Sequence, residues 1–292
     1  MSIITAANFS YAYNHPHKVL DSINLTVNQG SFSVIIGPSG AGKTTLCLSL
    51  AGAVPQYFGG SSAGQIEVAG YDTRKTPMHE LALIVGSVLQ DYETQLVAMT
   101  VEEEVAFSLE NQGVDPAEIQ CRAAEILGKV GLAGYEKNEV AALSGGQKQR
   151  LILASVLITK PKILVLDEPT SALDPDGTAS LYRLLGELNK ETGMTILVVE
   201  HDIAAVLPYA DQFILLDKGQ LLIADSPDKV LTYMAKEAIF KEAIPPLWQL
   251  KFFLEEHTDY KLDAWYSEEA AIQELSQLLQ KKVSGNAYIT TC

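Results

Sequence analysis

The sequence predicts an α/β fold built on a parallel sheet covered on both faces, and three observations carry that prediction. Strand-length apolar runs at Ile163–Asp167, Thr195–Glu200 and Phe213–Asp217 alternate with helical patterns such as Leu181, Leu184, Leu185 and Leu188. A glycine-rich stretch, Gly37-Pro38-Ser39-Gly40-Ala41-Gly42-Lys43-Thr44-Thr45, joins a strand-like run, Ser33–Ile36, to a helix-like one, Thr45–Leu50. Two adjacent carboxylates, Asp167 and Glu168, close the first apolar run, at the edge where open α/β sheets hold their ligands.

Taken in order, residues from Ile3 to Gly30 alternate apolar and polar, as in Leu20, Ile23, Leu25 and Val27, and read as antiparallel strands. Tyr11 and Tyr13 lie among them, and either offers an aromatic face for an adenine ring. Beyond the Thr45–Leu50 helix, Gly59–Gly64 reads as a flexible turn and Gln65–Tyr71 as a short strand closing the same sheet. Leu81–Leu89 reads as a buried strand that ends at Gln90. The period then becomes helical. Thr100-Val101-Glu102-Glu103 is a capping box, and Asp115-Pro116-Ala117-Glu118 places proline at the first position of another helix. Residues from about 91 to 160 thus form a mostly helical insert. From Ser226 onward the pattern is helical and acidic, broken at Pro245-Pro246. Trp248, Phe252, Phe253, Trp265 and Tyr266 read there as the core of a small appended unit rather than as a ligand cage.

The net charge of −15, from 36 acidic and 21 basic residues in 292, argues against a broad nucleic-acid surface. An anionic nucleotide still fits, because backbone amides, one lysine and a metal would hold it. Cys47, Cys121 and Cys292 lie far apart, which implies a reducing compartment and no zinc site. His15 and His17 lack further ligands and read as an exposed loop. The apolar runs fall well short of the roughly 18 residues that a membrane span needs, and no signal peptide precedes them, so the chain is expected not to cross a membrane by itself.

The Gly37–Thr45 stretch is a phosphate-binding loop. Glycines at 37, 40 and 42 let successive N–H groups face one anion at the positive end of the next helix. Lys43 then reaches the β- and γ-phosphates of a nucleoside triphosphate, and the Thr44 hydroxyl sits on Mg²⁺. Asp167 is expected to hold the same metal, while Glu168, pointing the other way, polarises the attacking water. Leu143-Ser144-Gly145-Gly146-Gln147 starts a second capped helix, since Ser144 is a good N-cap and Gln147 stands at its third position. Its amides suit a second phosphate clamp, although sequence order does not say whose phosphate.

These residues together resemble the ATP-binding cassette (ABC) ATPases over residues 1 to about 225. Gly37–Thr44 is similar to the Walker A motif, Ile163–Asp167 to Walker B with Glu168 as catalytic glutamate, and Leu143–Gln147 to the signature sequence. Ser171-Ala172-Leu173-Asp174 resembles the D-loop, Gln90 the metal-contacting Q-loop glutamine, and His201 the switch histidine. The resemblance implies a RecA-like parallel core, an N-terminal antiparallel β subdomain, a helical signature subdomain over about 91–160 and a C-terminal helical extension over 226–292. It implies head-to-tail pairing with a second cassette, identical or paralogous, so that Ser144, Gly145, Gly146 and Gln147 clamp the γ-phosphate bound by the other copy's Lys43. It implies ATP and Mg²⁺ as cofactors and Tyr11 as the stacking ring, with Tyr13 left open.

Gln90-Asp91-Tyr92-Glu93-Thr94-Gln95-Leu96 and Thr100–Phe107 further resemble the energy-coupling factor (ECF) branch, which drives uptake of vitamins and of cobalt or nickel. Asp91–Thr94 departs from that branch's more usual Asn-Pro and two acidic residues. The likeness implies an importer ATPase on the cytoplasmic face of the membrane, with a transmembrane coupling protein, a small substrate-binding membrane subunit and no nucleic acid as partners. The extension would aid pairing of the two ATPases. The alternatives are a soluble ABC ATPase acting in DNA repair or on ribosomes, and a regulatory module that binds ATP without turnover.

Overall fold

A computed structural model of the chain describes residues 1–14 and 16–286. Two sheets organise it. The first contains β1 (Ser2–Ala12), β2 (Leu20–Asn28), β4 (Ser61–Val68) and β5 (Tyr71–Asp72) in the order β2-β1-β4-β5, antiparallel throughout. The second contains β3 (Phe32–Ile36), β6 (Val85–Val88), β7 (Ile163–Asp167), β8 (Thr195–Val199), β9 (Gln212–Asp217) and β10 (Gln220–Asp225), in the order β10-β9-β3-β8-β7-β6. Its five strands from β9 to β6 run parallel, and only β10 runs against its neighbour.

The strands of the parallel sheet are apolar on both faces because both faces are covered. Side chains of one parity, Val34, Leu164, Leu166, Val198 and Leu215, pack against the helices. Those of the other, Ile35, Val165, Leu197, Val199 and Leu216, pack against the antiparallel sheet and α1 (Lys43–Leu50). Short helices α2 (Ala53–Gln56) and α3 (Met78–Leu81) flank that layer. The insert supplies α4 (Val101–Asn111), α5 (Pro116–Lys129) and α6 (Gly145–Leu157). All three start where the sequence indicates. Thr100 and Glu103 form the capping box of α4, the Asp115 carboxylate accepts from the Ala117 amide at the start of α5, and Ser144 and Gln147 cap α6 reciprocally. Then α7 (Pro175–Thr192) and α8 (Ile203–Val206) alternate with β7, β8 and β9, and α9 (Pro227–Glu237), α10 (Pro246–His257) and α11 (Glu268–Asn286) end the described chain.

Four expectations are corrected. Leu81 ends α3 rather than starting a strand, and β6 begins only at Val85. The Gly59–Gly64 segment is a turn only in its first half, because pairing of Ser61–Ala63 with β1 draws the rest into β4. β8 stops at Val199, so Glu200 lies just past the strand. The C-terminal region is less detached than an appended unit. Val230, Leu231 and Met234 of α9 and Trp248 of α10 are buried in the same apolar cluster as the helical face of the parallel sheet. Leu262, Trp265 and Ala271 alone make a small separate core, and Phe253 is exposed. Cys47 is buried and Cys121 exposed, both as free thiols. His17 is exposed, while His15 and Cys292 lie outside the described residues.

Candidate active site

The parallel order β6-β7-β8-β3 brings four loops to one sheet edge. Gln90 follows β6, Asp167 and Glu168 end β7, Glu200 and His201 follow β8, and the phosphate-binding loop follows β3. Residues that are far apart in sequence thus become neighbours at the carboxyl ends of the strands.

The loop has the strained backbone that its glycines allow. Gly42 caps α1 at φ 98°, and a Cβ there would lie 2.8 Å from both the Val19 carbonyl oxygen and Leu20 Cδ2. At Gly37 a Cβ would lie 2.1 Å from the Leu216 carbonyl oxygen, so the loop could not lie this close to β9 with any side chain present. The Gly40 and Gly42 amides donate to nothing among the described residues. With the first amides of α1 they form an anion-binding concavity. Lys43 curls into it. Its Nζ donates to the Gly37 carbonyl (2.9 Å) and the Pro38 carbonyl (3.1 Å). Burial holds the Lys43 ammonium below the usual lysine range, opposed by the nearby negative charges of Glu168 and Asp167.

Glu168 stands in the left-handed region at φ 51°, a conformation costing about 1–3 kcal/mol for a non-glycine residue. The strain is supported locally by its amide, which donates to the Val199 carbonyl (3.1 Å). Its carboxylate is gripped from two sides. Gln90 Nε2 donates to Oε2 at 2.7 Å, and His201 Nε2 lies 2.9 Å from Oε1. All three expected catalytic side chains therefore meet. Gln90 faces Glu168 through its amide nitrogen, which leaves its carbonyl oxygen for another partner.

Asp167 is different. It is 1% exposed, and neither carboxylate oxygen accepts a hydrogen bond; the nearby Thr44 hydroxyl falls outside full hydrogen-bond geometry. Burial pushes its carboxyl above the usual carboxylate range, only partly offset by Thr44, Lys43 and His201. A buried, unpaired carboxylate beside a hydroxyl fits a hard, oxygen-seeking divalent cation. Because the folded pKa is raised, the folded chain holds a proton that the unfolded chain has released, and stability falls as pH rises from the ordinary carboxylate value through that window. Asp167→Asn is expected to raise the thermal midpoint of nucleotide-free, metal-free protein by about 2 °C or more. A midpoint that calorimetry finds unchanged or lower would show that the carboxylate is already satisfied.

Tyr11, the expected stacking ring, is corrected by its burial. It is 1% exposed and its hydroxyl donates to the Gly59 carbonyl (2.7 Å), so it has no free face. Tyr13 packs edge-on against it at 4.8 Å, remains 37% exposed, and places its hydroxyl 3.4 Å from Thr45 Oγ1 on α1. Tyr13 is thus the available ring beside the loop. Ser39 and Thr44 are exposed and Ala41 is buried under the loop.

The second clamp lies elsewhere. Gln147 Oε1 accepts from the Ser144 amide (2.9 Å), and Lys148 Nζ bonds Glu93 (3.0 Å) in the 3-10 turn Tyr92–Gln95. Among the described residues no hydrogen bond or ion pair joins Ser144–Gln147 to Lys43, Glu168 or His201. Asp174 caps α7, accepting from the Gly177 amide (2.8 Å), and among the described residues no hydrogen bond or ion pair joins it to the phosphate-binding loop. Sequence reasoning missed Glu200 and Thr170, whose side chains bond each other beside the site. The signal was present in a second strand-end carboxylate directly before His201.

Comparison with known proteins agrees with this geometry. The ABC transporter family model matches residues 20–171, more than half of the chain. A putative ABC transporter ATP-binding protein of Pyrococcus abyssi is 45% identical over 231 residues, covering 79% of this chain and 82% of that protein. The structure of cbiO1 from Clostridium perfringens, described as part of the ABC transporter complex cbiONQ, aligns with a TM-score of 0.72 at 29% identity, over 87% of this chain and 96% of that one. The dimeric ABC transporter cassette MJ0796 aligns at 0.68 and 28% identity over 76% and 98%, and its post-hydrolysis form holds ADP and Pi. A loop shaped for phosphates, a gripped glutamate at the strand edge and relatives at this identity lead to one conclusion: the chain belongs to the ABC transporter ATP-binding proteins and is an ATPase.

Proposed function

We propose that this ATPase is the motor subunit of an ECF-type importer, powering uptake of a vitamin or a transition-metal ion through a membrane coupling subunit. The carrying observation is an exposed apolar groove on the Q-loop side of the molecule. It encloses about 540 Å³ between α2, β6, α4 and α6, and is lined by Tyr57, Phe58, Val97 and Phe107, all exposed. Monomeric soluble proteins rarely leave so many large apolar side chains together in water, and an apolar coupling helix fits such a groove. The likeness to cbiO1, described as part of the complex cbiONQ, over 87% of this chain supports the ECF reading.

In this reading the loop amides and Lys43 hold the triphosphate of ATP, and Tyr13 stacks on its adenine. Thr44, Asp167 and the Gln90 carbonyl would hold Mg²⁺, which supplies charge neutralisation at the phosphates when bound. Glu168 takes the proton of the attacking water, and His201 contacts the transferred phosphoryl group. Ser144, Gly145, Gly146 and Gln147 serve the nucleotide of a second cassette, identical or paralogous, in keeping with the lack, among the described residues, of any hydrogen bond from them to Lys43. ATP binding closes the pair, and hydrolysis reopens it.

A tagged chain purified from detergent-solubilised native membranes is expected to bring down a polytopic membrane protein and a small membrane subunit at near-equal stoichiometry. Phe107→Asp should lose that capture while keeping its thermal midpoint, since the side chain is solvent-exposed. Recovery of soluble or ribosomal partners alone would overturn the importer reading.

A further inference from the structure

We propose that Glu200 is a positioning residue for hydrolysis, a buried hub that ties His201 and the root of the Ser171–Asp174 loop into one rigid ring with Glu168. The inference rests on the roles of Glu168 and His201 proposed above. Glu200 is 3% exposed, yet its carboxylate has all four of its acceptor positions filled. Oε1 accepts from the Thr170 and Tyr182 hydroxyls. Oε2 accepts from the His201 amide (3.0 Å) and the Asp202 amide (3.4 Å). A carboxylate is costly to desolvate, and an apolar residue of similar volume would fill the space beside Tyr182 without that cost. Four converging donors from three separate elements therefore point to position rather than packing.

The bonds close a ring. It runs along the main chain from Glu168 through Pro169 to Thr170, across the Thr170–Glu200 hydrogen bond, along the peptide to His201, and back through His201 Nε2 to Glu168 Oε1 at 2.9 Å. Thr170 also offers its carbonyl to the Leu173 amide (2.9 Å), which sets the start of the Ser171–Asp174 loop. Tyr182 anchors the ring to α7. Burial, reinforced by the Glu200 charge, pushes the Tyr182 hydroxyl well above its ordinary pKa, so it remains a donor. A shift of Glu168 or His201 on loss of phosphate is thereby passed to the loop through a short, fully bonded path.

The test is steady-state ATP hydrolysis by the full chain. Thr170→Val removes the hydroxyl at nearly constant shape and is expected to lower kcat about tenfold, with KM for ATP changed less than about twofold. Thr170→Ser, which keeps the hydroxyl, should restore kcat to within about twofold. Glu200→Gln keeps one acceptor oxygen for the two backbone N–H groups but removes the charge and makes the two hydroxyls accept instead of donate, and it should lower kcat at least as far; if it does not fold, the Thr170 pair still decides. A Thr170→Val variant with wild-type kcat, or a Thr170→Ser variant equally impaired, overturns the hub. Wild-type and Glu168→Gln proteins in the same assay separate the two levels. Turnover that does not depend on Glu168 takes down the underlying reading as well, whereas Glu168-dependent turnover untouched by Thr170→Val takes down only the hub.

Discussion

Glu168→Gln is expected to lower ATP turnover by roughly 10²–10⁴ while ATP remains bound, the signature of a lost general base. The size of the effect follows from how the residue is held. Gln90 Nε2 donates to Glu168 Oε2, and a glutamine carbonyl at position 168 keeps that bond. The left-handed backbone at φ 51° and its amide bond to the Val199 carbonyl are untouched by the change. What disappears is the acceptor for the proton of water. Phosphate release should therefore collapse without loss of stability, and size-exclusion chromatography with ATP should show a trapped closed pair. Undiminished phosphate release would remove Glu168 from the mechanism.

Lys43→Ala is expected to act one step earlier, weakening ATP binding by roughly 10–100-fold through loss of charge-assisted hydrogen bonds to phosphate. Lys43 is 6% exposed and already directed inward, its ammonium satisfied by two carbonyls of its own loop. Exchanging those carbonyls for phosphate oxygens needs only a swing of the side chain. Titration with a fluorescent ATP analogue reads the loss directly, and an unchanged Kd would mean that the loop amides alone account for affinity. The two variants separate cleanly: one loses nucleotide, the other keeps it and stalls.

Several readings were visible in the sequence because they depend on neighbours along the chain. A helix start is written in four consecutive residues, and so Thr100–Glu103, Asp115–Glu118 and Ser144–Gln147 cap α4, α5 and α6 as expected. The phosphate-binding loop is equally local, since Gly37, Gly40 and Gly42 all take positive φ, which glycine adopts without strain. Burial is not local. Tyr11 and Tyr13 sit two apart on the same segment, yet one ring is sealed by a bond to Gly59 while the other stays exposed beside α1. Trp248 looked like part of a separate unit until packing placed it in the main core.

By itself the sequence determined the chemistry on offer: a loop for phosphates, a strand ending in two carboxylates, a capped helix with free amides, and a histidine after a strand. Each rests on bonding within a few residues, where backbone geometry leaves little choice. The tertiary structure alone decided how these parts meet. The strand order β6-β7-β8-β3 put Gln90 and His201 on either side of one glutamate, left Asp167 buried without a hydrogen-bond partner, and turned Glu200 from the end of a strand into a four-donor hub. Which polar group is paired inside a protein depends on what folds over it, and that information is spread over contacts from the whole chain rather than written at the residue.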